Sequence, residues 1–295
     1  MKIGIAGTGK MGAAIATRLM GLGHEVAVWN RTADKTKALA AAGARVAKNP
    51  AELAAASATV ITILTDASAI DTVYHGPHGL LSGDATGKLF IEMSTVRPET
   101  DVMLATKVKQ KGGALIDCPV GGTVGPAKDG KLFGFVGGAD ADVARAKPLL
   151  DQMCRRVEHV GPVGAGARMK LAINLPLMVY WQAFGEALAL CAPLKLDPAR
   201  IMDIFTDTSG GPNVLKVRGN TVAAGLKGQD VGTATFDVDS VCKDLRTMIE
   251  EGKALGTALP VSETALRVFG EAAREGMGAS DCAVLAVRWA KRVRN

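Results

Sequence analysis

The sequence predicts an α/β chain: a Rossmann-type doubly wound sheet, then an all-α C-terminal domain built around a long central helix. Three observations predict it. An apolar run, Lys2–Ala6, leads straight into Gly7-Thr8-Gly9-Lys10-Met11-Gly12 and a helical pattern. Up to residue 160, apolar runs alternate with helical segments, as parallel sheets with crossover helices require. Past Gly161-Pro162-Val163-Gly164, strand signals vanish and helical patterns continue. The expected division is a dinucleotide-binding domain over 1–163 and a helical substrate and oligomerisation domain over 164–295.

Each element has its own reason. Gly7 permits a tight turn after the first strand, Gly9 lets the backbone approach a pyrophosphate, and Gly12 lets the following helix pack close to the strand. The phosphates then meet the helix N-terminus, whose N–H groups and dipole favour anions. The apolar residues Ala13, Ala14, Ile15, Ala16, Leu19 and Met20 mark that helix, and Glu25–Trp29 is the second strand. Further strands are expected at Thr59–Leu64, Leu89–Glu92, Ala114–Cys118 and Phe133–Gly137. Helices are expected at Lys35–Ala42, Pro50–Ala56, Glu99–Gln110 and Ala139–Met153. The helical half reads as 166–194, 198–206, 214–224, 238–255, 261–276 and 280–293.

The end of the second strand speaks to the cofactor. An NAD site usually places Asp or Glu there for the ribose hydroxyl. This chain has Asn30-Arg31-Thr32, with Lys35 one turn later. A carboxylate would repel a 2′-phosphate, whereas these groups can hold one, Arg through its planar fork. NADP is expected, with NAD possible.

Composition excludes other classes. Hydrophobic content is 48% and charged content 22%, ordinary for a soluble globular protein. The net charge of +6 is spread along the chain, apart from Arg288, Lys291, Arg292 and Arg294 at a helix end. Aromatics are only 4% and do not interleave with the basic residues, so no nucleic-acid partner is expected. Five scattered cysteines and four histidines lack metal-ligand spacing; a reduced, cytoplasmic, metal-free protein is expected. Leu171–Leu194 raises a transmembrane question, but Asn174, Pro176, Gln182, Gly185 and Glu186 lie inside it. A helix buried between domains or subunits, with no membrane partner, is expected. Its wide apolar surface points to a homodimer or homotetramer.

Ligands of open α/β sheets bind beyond the carboxyl ends of the strands. Three polar clusters fall there or just past the domain boundary: Ser94-Thr95-Val96-Arg97-Pro98, Asp117 through Thr123, and Gly164 through Lys170. Asn174 shares a helix face with Lys170 at i, i+4 spacing. Hydride transfer to a carbonyl needs a proton donor beside the oxygen. No histidine is convincingly placed for that role, and a lysine at the domain boundary can fill it. His75 and His78 sit in a turn-rich segment and read as surface loop, and Tyr180 and Trp181 as core or interface.

Taken in order, these motifs resemble the β-hydroxyacid dehydrogenase family. The resemblance spans nearly the whole chain: Gly7-x-Gly9-x-x-Gly12, Ser94-Thr95-x-x-Pro98, Asp117-x-Pro119-Val120, Gly164-x-Gly166-x-x-x-Lys170-x-x-x-Asn174, Phe236 before Lys243-Asp244-Leu245, and Asp281. It implies Lys170 as general acid/base. It implies substrate contacts from Asn174, Ser94, the Gly121-Gly122-Thr123 loop and Asn213. Thr95 and Lys243 would meet the nicotinamide end, and Lys10, Met11, Leu64 and Phe236 would join the glycines around the cofactor. The Asn30-Arg31-Thr32 turn and the Pro126-Ala127-x-x-Gly130 stretch look most like the NADPH-using glyoxylate/succinic semialdehyde reductase branch. The implied reaction interconverts a short hydroxy acid and its semialdehyde.

Two features depart from the family. Gly121 stands where the family has Ser, with Thr123 in place of a glycine, which bears on substrate identity. Pro176 should kink the central helix. Imine reductases share this architecture but lack a lysine at the catalytic position, and a silent dinucleotide-binding scaffold would need neither Lys170 nor Asn174.

Overall fold

The structure is a computed structural model describing residues 1–208 and 210–292. Its N-terminal half alternates strands and helices in the order β1 (Lys2–Ala6), α1 (Lys10–Gly21), β2 (Glu25–Trp29), α2 (Lys37–Ala41), β3 (Arg45–Val46), α3 (Pro50–Ala55), β4 (Thr59–Thr62), α4 (Ala67–His75), β5 (Leu89–Glu92), α5 (Pro98–Gln110) and β6 (Ala114–Asp117). It continues with β7 (Val120–Gly121), α6 (Val124–Lys128), β8 (Leu132–Gly137), α7 (Asp140–Met153) and β9 (Cys154–Gly161). Helices follow: α8 (Ala165–Cys191), α9 (Pro198–Thr206), α10 (Asn213–Leu226), α11 (Val238–Ala254), α12 (Pro260–Ala272) and α13 (Leu285–Arg292).

Strands β3-β2-β1-β4-β5-β6 lie side by side and parallel. The apolar runs of β1, β2, β4, β5 and β6 are buried on both faces, as parallel strands covered by helices must be, while the two residues of β3 at the sheet edge are exposed. One layer packs Ile3, Ile5, Ile15, Leu19, Leu149 and Leu150; the other packs Leu53, Val60, Ile70, Tyr74, Phe90 and Leu104. The topology turns at β8, which runs antiparallel to β6 and β7 and parallel to β9.

Three short or polar strands escape the sequence pattern. Arg45–Val46 and Val120–Gly121 have two residues each, too few to show a period. Cys154–Gly161 carries Arg155, Arg156, Glu158 and His159, because it pairs with β8 alone and presents polar side chains at the sheet edge. The segment read as surface loop is partly helical: α4 starts where Asp66 Oδ1 accepts from Ala69 N at 2.8 Å, and His75 in its last turn bonds Asp71 at 2.9 Å.

The chain separates into two compact units, Met1–Leu171 and Ala172–Asn295. The division falls inside α8, eight residues beyond the boundary read from the sequence. Helix α8 runs unbroken through Pro176. By length and composition it could cross a membrane, and 33% of its most apolar stretch is buried. The second unit buries Trp181, Phe184 and Phe269, with Trp289 Nε1 donating to Gln182 Oε1 at 3.3 Å. Arg288 is buried and pairs with Glu275, while the side chains of Lys291, Arg292 and Arg294 lie outside the described residues.

Candidate active site

The glycine turn has the geometry its sequence implies. Gly7 has φ 98°, and a Cβ on it would lie 2.1 Å from the Ile63 carbonyl. A Cβ on Gly12 would lie 1.9 Å from the Gly7 carbonyl, so only glycine brings α1 this close to β1. Gly9 instead faces open space. It caps α1, whose first turn contains no acidic residue. That is a cradle for a pyrophosphate, and it fits a dinucleotide. Leu64 borders it, with Cδ2 3.2 Å from the point a Gly7 side chain would occupy. Lys10 is exposed and Met11 half-buried on the first turn of α1.

Asn30 serves the turn itself. Its Oδ1 accepts from Thr8 N at 3.0 Å and its Nδ2 donates to Thr32 O at 3.0 Å, while Thr8 Oγ1 donates to Lys35 O at 3.0 Å. The loop after β2 is thereby tied to the glycine turn. Arg31, Thr32 and Lys35 are exposed on it, positive and hydroxylated, with the chemistry a 2′-phosphate needs.

At the ends of β4 to β6 the structure buries acids. Glu92 accepts from Ser94 N at 2.7 Å and from Thr62 Oγ1, and burial pushes its carboxyl up to about 7 against those hydrogen bonds. Ser94 is itself buried, its hydroxyl accepting from Leu64 N at 2.8 Å. It therefore braces the loop that borders the glycine turn, and its neighbour Thr95 is half-buried. Asp101 on α5 is buried with neither carboxyl oxygen hydrogen-bonded, and burial holds its pKa well above the usual carboxylate range.

Asp117 is the residue whose role the sequence did not reveal. Its Oδ1 accepts from Gly164 N at 2.7 Å and its Oδ2 from Ala167 N at 2.8 Å, so a fully buried carboxyl caps the start of α8. Burial raises its pKa to about 6 against those amide bonds. One turn along α8, Lys170 Nζ donates to Val120 O at 2.7 Å. Both ends of the loop after β6 are thus joined to one helix turn. Next to that carbonyl come Gly121, half-buried, then Gly122 and Thr123, both exposed. Asn174 is half-buried one turn after Lys170.

The remaining predicted residues belong to the helical unit. Asn213 opens α10 and is exposed. Lys243 pairs with buried Asp244 on α11, which Asp237 caps by accepting from Ser240 N at 2.9 Å. Phe236 O accepts from Cys282 N at 2.9 Å. Asp281 accepts from Arg218, Thr235 N and Ala283 N; burial works against its ionisation, but these partners hold its pKa below the usual range. Among the described residues, no group of three His, Cys, Asp or Glu side chains is arranged to hold a metal ion.

Two family models cover this architecture end to end. Residues 2–161 match the NAD binding domain of 6-phosphogluconate dehydrogenase, and residues 164–288 match the NAD-binding domain of NADP-dependent 3-hydroxyisobutyrate dehydrogenase. The chain belongs to the β-hydroxyacid dehydrogenase family. Membership makes it an NAD(P)-dependent hydroxyacid dehydrogenase or semialdehyde reductase, and α8 part of an enzyme domain. It is 31% identical to glyoxylate/succinic semialdehyde reductase 1 of Arabidopsis thaliana, over 95% of this chain and 96% of that one. It is 30% identical to 2-(hydroxymethyl)glutarate dehydrogenase of Eubacterium barkeri, over 98% of this chain and 95% of that one. The crystal structure of 3-hydroxyisobutyrate dehydrogenase from Salmonella typhimurium superposes with a TM-score of 0.86 at 25% identity, covering 97% of this chain and 99% of that one.

Proposed function

We propose that the protein is a soluble, cytoplasmic, NADPH-linked reductase of short aldehyde acids, run reversibly on the matching hydroxy acids, with Lys170 as proton donor. The observation that carries this reading is the bond from Lys170 Nζ to Val120 O, which ties the only cation of that helix turn besides Arg168 to the loop after β6. A dinucleotide held by the Gly7-Gly9-Gly12 turn and the Asn30–Lys35 loop would supply the hydride. As the carbonyl carbon receives it, the oxygen gains negative charge. Lys170 Nζ stabilises that charge and gives up a proton, leaving a hydroxyl group. In reverse, the neutral amine takes the hydroxyl proton. Asn174 orients the same oxygen. The N–H groups of Gly121, Gly122 and Thr123, with the Thr123 hydroxyl, hold the substrate carboxylate. Phe236, Lys243 and Thr95 keep the cofactor contacts that family likeness assigns them, and Asn213 a substrate contact.

Arg31, Thr32 and Lys35 support NADP over NAD, with Asn30 holding their loop in place. Exposed Ile173, Leu190 and Leu194 along and just after α8 support association into a homodimer or homotetramer, which sedimentation would read directly. The test of activity is NADPH oxidation with glyoxylate, succinic semialdehyde, methylmalonate semialdehyde and tartronate semialdehyde. Turnover of at least one is expected. Reduction of cyclic imines with none of these acids turned over would overturn the reading.

A further inference from the structure

The segment just before α11 is held by a carboxylate 46 residues further along the chain. Asp281 Oδ2 accepts from Thr235 N at 2.9 Å and from Thr235 Oγ1 at 3.3 Å. Its Oδ1 accepts from Ala283 N at 3.0 Å and from Arg218 Nη2 of α10. Arg218 Nη1 donates to Thr235 Oγ1 as well. One guanidinium thus holds both the carboxylate and the hydroxyl bonded to it. The main chain extends the pairing: Cys282 N donates to Phe236 O at 2.9 Å, and Val238 N to Ser280 O at 3.0 Å. Asp237 and Asp281 form an antiparallel bridge.

This clamp fixes what the neighbouring side chains present. Phe236 is pinned at its carbonyl and flanked by bonded amides, yet its side chain is only half-buried. Lys243 follows within two turns of Val238, the first residue of α11, and is also half-buried. Stability alone is a poor reason for a pair of which Asp281 is buried. Such a pair is seldom worth more than apolar side chains of the same volume, because both charges lose water. Its geometry is directional, however, and a forked guanidinium fixes the two groups it bonds relative to each other. Direction matters where a segment must stand in its binding form before the ligand arrives, because affinity falls with the fraction of molecules in that form.

We propose that Arg218 is a positioning residue for the cofactor: with Asp281 it holds Thr235–Asp237 and the start of α11 in the form that meets the nicotinamide half of NADP. It acts through its hold on Asp281 and Thr235, with Phe236 and Lys243 making the contacts. This rests on the proposed function, which gives those two residues their cofactor contacts.

The test compares NADP+ with 2′-phospho-ADP-ribose, the same molecule without its nicotinamide. Calorimetry on the full chain reads both and needs no turnover. Removing Arg218 alone would leave a buried carboxylate unpaired, so two other variants are used. Arg218→Lys keeps the charge and loses the fork, and Arg218→Met with Asp281→Asn removes both charges together. In each, the NADP+ dissociation constant should rise by about tenfold, the fold-change of one lost charge-assisted contact, while the fragment binds as in the wild type. In turnover, the KM for NADPH should rise with kcat nearly unchanged. A merely structural role would weaken both ligands alike. That result, or wild-type affinity for NADP+ in the folded double variant, would overturn the proposal; if the double variant does not fold, Arg218→Lys decides by the same comparison. Lys243→Ala separates the proposal from the reading beneath it, and should weaken NADP+ but spare the fragment. If it spares both, the cofactor contacts proposed for α11 fall and the proposal with them. If it weakens NADP+ and the Arg218 variants do not, only the part given to Arg218 falls.

Discussion

Lys170 and Arg31 are single side chains whose removal separates chemistry from binding. A donor that acts only as charge develops on the oxygen lowers the barrier more than it aids binding. Lys170→Ala should therefore cut kcat by about 10²–10⁴ and leave the NADPH dissociation constant nearly unchanged. Lys170→Arg should not rescue, because guanidinium keeps its proton. Steady-state kinetics with cofactor titration checks both. Arg31→Ala should narrow the NADPH-over-NADH preference by roughly tenfold, the worth of one charge-assisted contact. Equal loss of affinity for both cofactors would instead assign Arg31 a structural part. At this scale the sequence was most readable where chemistry is local: Gly7, Gly9 and Gly12 lie within six consecutive residues and explain one another. The part Asn30 plays was hidden, because its amide bonds Thr8 across a separation of 22 residues. Ser94 was hidden similarly: a serine beyond a strand end reads as a ligand contact, yet its hydroxyl turns inward to Leu64.

At the scale of elements, the start of α8 depends on a residue 47 positions earlier in the chain. Asp117 accepts amide bonds at both carboxyl oxygens. An asparagine there would turn an NH₂ donor toward one of those amides. Asp117→Asn should cost about 1–3 kcal/mol in denaturant unfolding, the usual loss when a buried donor goes unsatisfied. It should also lower kcat more than it raises the KM for cofactor, since it loosens the turn that presents Lys170. No helix pattern shows this, because Asp117 closes a strand by sequence and caps a helix only in three dimensions. The helices were readable from their periods and the central strands from their continuous apolar runs. Strand β9 was not: its edge position lets Arg155, Arg156 and Glu158 face outward, which mimics a loop.

For the molecule as a whole, the three buried carboxyls Glu92, Asp101 and Asp117 tie stability to pH. All three hold their protons more tightly folded than unfolded. An unfolded carboxyl releases its proton near pH 4. Between about pH 4 and the raised values of about 6 for Asp117 and about 7 for Glu92, the unfolded chain binds fewer protons, so these groups make stability fall as pH rises. Asp101→Asn keeps the shape and removes one such group. Unfolding free energy measured at pH 5 and pH 8 should show a smaller decline in the variant than in the wild type. An identical decline would mean that Asp101 ionises as readily folded as unfolded. The parallel sheet followed by helices was legible from the change of pattern after Gly161; the reversal at β8 was not, because strand direction leaves no mark on an apolar run. The seam within α8 bears on recombination between relatives. Splicing a foreign C-terminal half after Val163, where the sequence pattern changes, would import another protein's Lys170 turn and pair it with this chain's Asp117 and Val120. A crossover placed after Leu171 keeps the cap, the amine and its carbonyl from one parent, so gene shuffling in this family should yield active hybrids at the second junction far more often than at the first.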